Sequence, residues 1–437
     1  MSLFTNESVC RISGGGSLCG TVNIPPSKSA AHRAILCAAL AEGRSVLSPI
    51  ELSDDMRATL NAVSALGASA ELSGDTLTID GIGGRYGDGL DEPVTVNCIE
   101  SGSTLRFIIP IACAAGINGR FVGSGTLVSR PVGLYGELLP QAGVECVSDG
   151  GLPLVCRGRL RSGNYRMPGD ISSQFITGML MALPLCEGDS SITLTTPLQS
   201  SAYVDMTLRC MSDFGVEVIP AENGWFIAGG QRYSARNYSI EGDWSQAGFF
   251  LAAGALGSRL TLRGLRLDSV QGDRAAVELF RKFGAEIELS HDEITVGSGI
   301  LRAQHIDARQ IPDLVPCLAV CAALCEGTTV IEHAERLRIK ESDRLASTAA
   351  MINSLGGRAE VTPDRDGLVI HGVKRFRGGT VHGYSDHRIV MSAAIGALCA
   401  DGEITITTPR SVRKSYPSFF EVYNSLGGKA NVIDLGK

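Results

Sequence analysis

Two kinds of helical segment alternate along the chain. The first is apolar on nearly every side, as in Ile35-Leu36-Cys37-Ala38-Ala39-Leu40 and Phe249-Phe250-Leu251-Ala252-Ala253, and a helix of that kind belongs inside a core. The second is amphipathic. From Ser342 to Leu355, residues Leu345, Ala349, Ile352 and Leu355 form one apolar stripe, with Asp343, Arg344 and Asn353 on other faces. Short β-branched runs such as Thr328-Thr329-Val330-Ile331 lie between the helices and predict strands. Both kinds of helix end on a glycine, as expected where a C-cap needs left-handed backbone. The apolar helices stop at Gly43, Gly119, Gly188, Gly257, Gly327 and Gly402, the amphipathic ones at Gly67, Gly143, Gly215, Gly284, Gly356 and Gly427. Within each series successive glycines are 69 to 76 residues apart. Two independent markers on one period predict six related units, each a helix, a strand, a second helix and further strands.

A buried helix still begins with N–H groups that have no intrahelical partner, and its dipole favours an anion there. All six apolar helices open on polar residues: Ser27-Lys28-Ser29 with Arg33; Ser101-Gly102-Ser103 with Arg106; Ser172-Ser173-Gln174; Asp243-Trp244-Ser245-Gln246; Asp313; and Asp386-His387-Arg388. Ser and Asp are good N-caps, which accounts for part of the pattern. Lys and Arg in a first turn have the wrong sign for the dipole, so their presence predicts an anionic ligand that outweighs the penalty. At the first opening Lys28 is expected just before the helix, with Ser29 and Arg33, four apart, on one face. The densest charge cluster is Arg336-Leu337-Arg338-Ile339-Lys340-Glu341-Ser342-Asp343-Arg344. Here Ser342 is the expected cap of the following helix, with Lys340 and Glu341 at its mouth and Arg344 in its first turn. Arg130, Arg388 and Lys414 are further basic positions at comparable points of other units.

Composition bounds the rest. With 437 residues, two to four domains are expected, and 44% hydrophobic with 19% charged residues excludes a disordered or fibrous chain. The 39 Lys and Arg against 46 Asp and Glu leave a net charge of -7. That balance speaks against nucleic acid, but it averages the surface and does not exclude a basic cleft for small phosphorylated compounds. Thirteen Cys without a C-x-x-C pair point to reduced thiols and a cytoplasmic protein. Cys317, Cys321 and Cys325 share a helical face and would suit a soft metal, yet their Leu, Val and Ala neighbours favour buried core thiols. No signal peptide and no apolar run of about 20 residues is present, so no membrane partner is expected. Walker A and dinucleotide-binding glycine patterns are missing.

Ten segments, in order and spanning nearly the whole chain, resemble the 5-enolpyruvylshikimate-3-phosphate synthase family. They are Lys28-Ser29 with Arg33, Glu100-Ser101-Gly102-Ser103-Thr104-Leu105-Arg106, Arg130-Pro131, Ser172-Ser173-Gln174, Glu241-Gly242-Asp243, Gln271-Gly272-Asp273, Ile311-Pro312-Asp313, Lys340-Glu341-Ser342-Asp343-Arg344, Asp386-His387-Arg388 and Lys414-Ser415-Tyr416-Pro417. The chain departs from the common family pattern at Glu100, Ser101 and Ser103, at Phe107, at Thr126 and at Arg336.

The resemblance implies an α/β fold: a two-domain inside-out α/β barrel of six βαβαββ repeats, with buried helices and outer mixed sheets. One domain would span 25–240, the other 1–24 with 241–437, and the active site would lie in the cleft between them. The implied reaction transfers the enolpyruvyl group of phosphoenolpyruvate to the 5-hydroxyl of shikimate 3-phosphate and releases phosphate. By the resemblance, Lys28, Gly102, Arg130, Gln174, Arg344, Arg388 and Lys414 hold phosphoenolpyruvate. Lys28, Ser29, Arg33, Ser172, Ser173, Gln174, Ser200, Tyr203, Asp313 and Lys340 hold shikimate 3-phosphate. Asp313 would accept the hydroxyl proton and Glu341 would protonate the methylene, with Lys28 a candidate for either transfer. No metal or cofactor is implied, and a monomer is expected. Two rivals share the fold: the transferase acting on UDP-N-acetylglucosamine, and a non-catalytic anion-binding protein. The first typically has Asn after the N-terminal Lys and a loop Cys, whereas Ser29 follows Lys28 here and Gly123 to Gly133 holds no Cys. The second would lack Asp313 and Glu341.

Overall fold

In the computed structural model, residues 8–83, 92–130, 132–291 and 293–435 are described. Their α-helices form six pairs. In chain order these are α1 (Lys28–Leu40) and α2 (Asp54–Ala65), α3 (Gly102–Ala114) and α4 (Gly133–Gln141), α5 (Ser173–Ala182) and α6 (Ser201–Asp213). There follow α7 (Trp244–Ala255) and α8 (Ala276–Phe283), α9 (Val315–Ala323) and α10 (Arg344–Ser354), α11 (His387–Gly396) and α12 (Phe419–Ser425). The first helix of each pair is the apolar one. In α7, α9 and α11 every residue is buried.

Each pair belongs to one four-stranded sheet, and all six sheets repeat one pairing: a parallel edge pair followed by two antiparallel pairs. In the second repeat the strands are Val94–Asn97, Gly119–Val122, Leu154–Arg157 and Glu145–Val147, in that order across the sheet. The parallel strands are joined through α3, the antiparallel ones through α4, which is a βαβαββ unit. Helices inside and sheets outside make each of two compact units an inside-out α/β barrel. The units are Met1–Pro25 with Gly242–Lys437, and Pro26–Glu241. Each has its own hydrophobic core.

Three sheets borrow a strand from a distant part of the chain. Asn237–Ser239 pairs in parallel with Arg44–Ser48 in the first repeat. Cys19–Asn23 pairs in parallel with Arg259–Arg263 in the fourth. Ser8–Ile12 sits between Ile404–Thr407 and Ala430–Asp434 in the sixth. The first two lie at the end of their sheets, beside a parallel partner, and the third fills the gap between two strands.

The capping pattern mostly follows the sequence reading. Ser27, Ser101, Ser172, Asp243 and Asp386 cap α1, α3, α5, α7 and α11 through their side chains. Four local expectations are corrected. Lys28 is the first residue of α1 rather than a residue before it. Asp313 does not cap α9; it lies in the preceding turn, and Pro316 near the helix start removes one N–H that would need a partner. Asp343, not Ser342, caps α10 by accepting from Ala346 N, because Ser342 turns its hydroxyl to Asp386. The glycines after the amphipathic helices all have positive φ, 83° to 115°, but after the apolar helices only Gly43, Gly257 and Gly327 do. The stripe Leu345, Ala349, Ile352 and Leu355 is buried as expected, and so are Cys317, Cys321 and Cys325, whose thiols burial pushes up, to about 12 for Cys317 and Cys325.

Candidate active site

Three of the amphipathic helices, α4, α10 and α12, follow equivalent 3-10 turns, each with a basic residue at its end. Arg130 follows the 3-10 turn Gly125–Ser129, Lys340 follows Glu335–Ile339, and Lys414 ends Pro409–Lys414. Ser200, ahead of α6, is buried with φ 55° and ψ 45°, a left-handed conformation that a serine adopts only when its surroundings impose it. Pro131, beside Arg130, lies outside the described residues.

The unit Pro26–Glu241 gathers two groups. In the first, Arg33 is 3% exposed and donates in three directions: from Nε to Thr207 Oγ1 at 2.8 Å, from Nη1 to Ser29 O at 2.7 Å and from Nη2 to Tyr203 O at 2.8 Å. Arg33 therefore ties α1 to α6, holding Ser29 and Tyr203 in place, while its guanidinium lies over the Phe107 ring. Burial lowers its pKa to about 10, which still leaves it charged. Lys28 Nζ donates to Asp55 Oδ2 at 2.6 Å from the first turn of α2. In the second group Gln174 has both ends of its amide engaged. Its Oε1 accepts from Arg106 Nη1 at 2.6 Å and its Nε2 donates to Ser103 Oγ at 2.9 Å. Ser172 caps the same helix, with Ser173 buried as its first residue. Arg130 reaches across Gly102, so a Cβ at position 102 would stand 2.7 Å from Arg130 Nη1 and 3.1 Å from Arg106 Nη1.

The unit Met1–Pro25 with Gly242–Lys437 centres on Arg344, which is 1% exposed rather than on a polar face. Its Nε donates to Asp386 Oδ2 at 2.9 Å, its Nη1 to Asp313 Oδ1 at 2.9 Å, and its Nη2 to Glu341 Oε2. Lys340 Nζ stands 3.7 Å from Asp313 Oδ1 and Arg388 Nη2 3.5 Å from Asp313 Oδ2. Arg388 Nη1 also donates to Asp313 O at 3.1 Å. Lys414 Nζ donates to Ser385 O at 3.2 Å, beside the cap of α11.

Electrostatics follow from this packing. Burial alone would raise the Asp313 pKa, but the charges of Arg388, Lys340 and Arg344 outweigh it and hold the carboxyl well below the usual range. Burial lowers Lys340, assisted by Arg344 and Arg336 and opposed by Asp313 and Glu341. Arg344 is opposed by burial but raised by Asp386, Glu341 and Asp313. The cluster thus holds an ionised carboxylate under three cations, with a second carboxyl, Glu341, on the same arginine. It can bind anions and exchange protons within one small volume.

Residues 12–423 match the model of the EPSP synthase family, 3-phosphoshikimate 1-carboxyvinyltransferase. The chain belongs to this family. Among its relatives, the 3-phosphoshikimate 1-carboxyvinyltransferase of Clostridium beijerinckii is 43% identical over 430 residues, 97% of this chain and 98% of the relative. That of Clostridium kluyveri is 44% identical over 421 residues, 96% and 97% of the two chains. EPSP synthase from Acinetobacter baumannii superposes with a TM-score of 0.81 at 27% identity, covering 98% of this chain and 99% of that one. The enolpyruvyl transferase NikO from Streptomyces tendae shares the fold, with a TM-score of 0.82 at 19% identity over 99% of this chain and all of that one.

Within this family member, four residues at the site escaped the sequence reading as partners: Asp55, Ser103, Arg106 and Asp386. Asp386 and Arg106 stood in recognised motifs, but only as a cap and a first-turn cation. Asp55 carried no signal, since an acidic residue in a first turn is ordinary helix chemistry. No helix among the described residues is long and apolar enough to cross a membrane.

Proposed function

We propose that this chain transfers the enolpyruvyl group of phosphoenolpyruvate to the 5-hydroxyl of shikimate 3-phosphate, releasing inorganic phosphate, as a step of aromatic amino-acid biosynthesis. The single observation that carries the reading, beside family membership, is the Arg344 cluster. There the carboxyl groups of Asp313 and Glu341 lie within a few hydrogen bonds of several cations, which supports the reading. In this reading Lys28, Gly102, Arg130, Gln174, Arg344, Arg388 and Lys414 hold phosphoenolpyruvate. Ser29, Arg33, Ser172, Ser173, Ser200 and Tyr203, with Lys28, Gln174, Asp313 and Lys340, hold shikimate 3-phosphate.

Asp313 takes the proton of the 5-hydroxyl as its oxygen bonds to C2 of phosphoenolpyruvate, and Glu341 gives a proton to C3. The product of addition is a tetrahedral ketal. Loss of phosphate from C2, which leaves with the proton that Asp313 took, and return of a C3 proton to Glu341 restore the double bond, now in the ether. The cations offset the negative charge that two phosphates and a carboxylate bring together. The chain is taken to act as a cytoplasmic monomer without metal or cofactor, a setting that suits its unpaired thiols.

The test is phosphate release by the purified chain given phosphoenolpyruvate with either acceptor. Release with shikimate 3-phosphate is expected; release with UDP-N-acetylglucosamine alone would reverse the assignment. A narrower expectation concerns Gly102→Ala. The added methyl would meet the end of the Arg130 side chain, which can shift without unfolding the unit. The KM for phosphoenolpyruvate should rise roughly tenfold, with kcat within about threefold of wild type. An unchanged KM in steady-state assays would remove Gly102 from that site.

A further inference from the structure

Helix α3 carries Pro110 in its interior, and a proline has no N–H for the carbonyl four residues back. That carbonyl belongs to Arg106. Tyr135 of α4, fully buried, supplies the hydrogen instead: its hydroxyl donates to Arg106 O at 2.6 Å, with Phe175 O of α5 a longer second acceptor at 3.2 Å. Phe175 O has the amide of Met179 one turn on in its own helix, so of the two carbonyls Arg106 O is the one whose helical donor is missing. Burial keeps the phenol protonated by raising its pKa well above the usual range, against the charge of Arg106. The junction is tight. A Cβ on Gly178 of α5 would stand 2.4 Å from Arg106 O, 2.5 Å from Tyr135 Oη and 3.0 Å from Pro110 Cγ. The Tyr135 and Phe175 rings meet edge-on, with centroids 4.9 Å apart.

We propose that Tyr135 is a positioning residue for phosphoenolpyruvate binding, acting through the Arg106 carbonyl in place of the amide hydrogen that Pro110 lacks. This rests on Gly102 and Gln174 holding phosphoenolpyruvate. Both depend on where the first turns of α3 and α5 stand. Arg106 Nη1 donates to Gln174 Oε1 at 2.6 Å and would lie 3.1 Å from a Cβ on Gly102, while its guanidinium covers the Phe175 ring at 5.2 Å. Gln174 Nε2 in turn reaches back to Ser103 Oγ at 2.9 Å. Without the hydroxyl, a buried carbonyl at the root of Arg106 loses this donor, and α3 must shift to regain one. The arginine, the glutamine and the Gly102 backbone then move with it. Ser29 and Tyr203 are held by the bonds of Arg33 between α1 and α6, which do not run through this junction.

The experiment measures steady-state phosphate release by wild type, by Tyr135→Phe and by Tyr135→Phe combined with Pro110→Ala. Phenylalanine keeps the ring packing and removes only the hydroxyl. In Tyr135→Phe the KM for phosphoenolpyruvate should rise about three- to tenfold, with the KM for shikimate 3-phosphate within about twofold and kcat within about threefold. Adding Pro110→Ala gives residue 110 an amide hydrogen for Arg106 O, and the KM for phosphoenolpyruvate should return to within about twofold of wild type. A merely structural tyrosine would lower stability and leave the ratio of the two KM values unmoved, which overturns the proposal. A raised KM that Pro110→Ala fails to restore overturns it as well. If Tyr135→Phe does not fold, the double variant decides the matter: folding with a near-wild-type KM upholds the proposal, and failure to fold overturns it. Wild-type release with shikimate 3-phosphate keeps the reading of the site intact, so a flat result for Tyr135→Phe then counts against Tyr135 alone. No wild-type release would remove that reading and the proposal with it.

Discussion

Replacing Arg344 by methionine is expected to destabilise the unit that contains it by about 3–5 kcal/mol and to abolish turnover. Methionine matches the length and packing of the arginine stem, so the loss would not come from a cavity. It would come from the carboxylates left behind. Asp386 is fully buried, and Asp313 and Glu341 are largely shielded; each loses a hydrogen-bonded cation in a place that water cannot reach freely. Asp386 keeps Ser342 and the N–H of Arg388, and Asp313 keeps Lys340 and Arg388, which is why the unit should survive in weakened form. The chain has two tryptophans, Trp225 and the buried Trp244. With Trp225→Phe as background, urea unfolding followed by Trp244 fluorescence reports on the unit holding Arg344. A shift smaller than about 1 kcal/mol would mean that the remaining partners satisfy the carboxylates without the arginine.

Glu341→Gln should lower kcat by about 10²- to 10⁴-fold while both KM values stay within about threefold. The amide keeps the shape of the side chain and an oxygen able to accept from Arg344, so the cluster should stay assembled. What it loses is the exchangeable proton, which matters only when C3 is attacked and again when the double bond re-forms. A drop in affinity with unchanged kcat would instead make Glu341 a binding group. Because Arg344 also bonds to Asp313, the Glu341→Gln and Asp313→Asn effects are not expected to add in the double variant.

The repeat, the two classes of helix and the caps of five of the six apolar helices were legible in the chain because each depends on residues a few positions apart. The same locality explains the errors. Ser342 and Asp343 are both good caps in isolation; Asp343 takes the role because Asp386, 44 residues ahead of Ser342, claims the serine hydroxyl. Arg344 reads as a surface cation in its own helix and becomes the most buried cation of the cluster because its partners come from α11, from the turn before α9 and from its own turn.

By itself the sequence determined the inventory: six units, helices that must lie inside, and the polar residues that open them. These follow from period, polarity and cap preference, all properties of short stretches. Only the tertiary structure decided the pairings. It put Lys28 on Asp55, 27 residues away, and Arg388 on Asp313, 75 away, and completed three sheets with borrowed strands. The physical reason is that burial and charge act through space. A carboxyl's proton affinity depends on which cations surround it and how little water does, and neither is set by its neighbours in the chain.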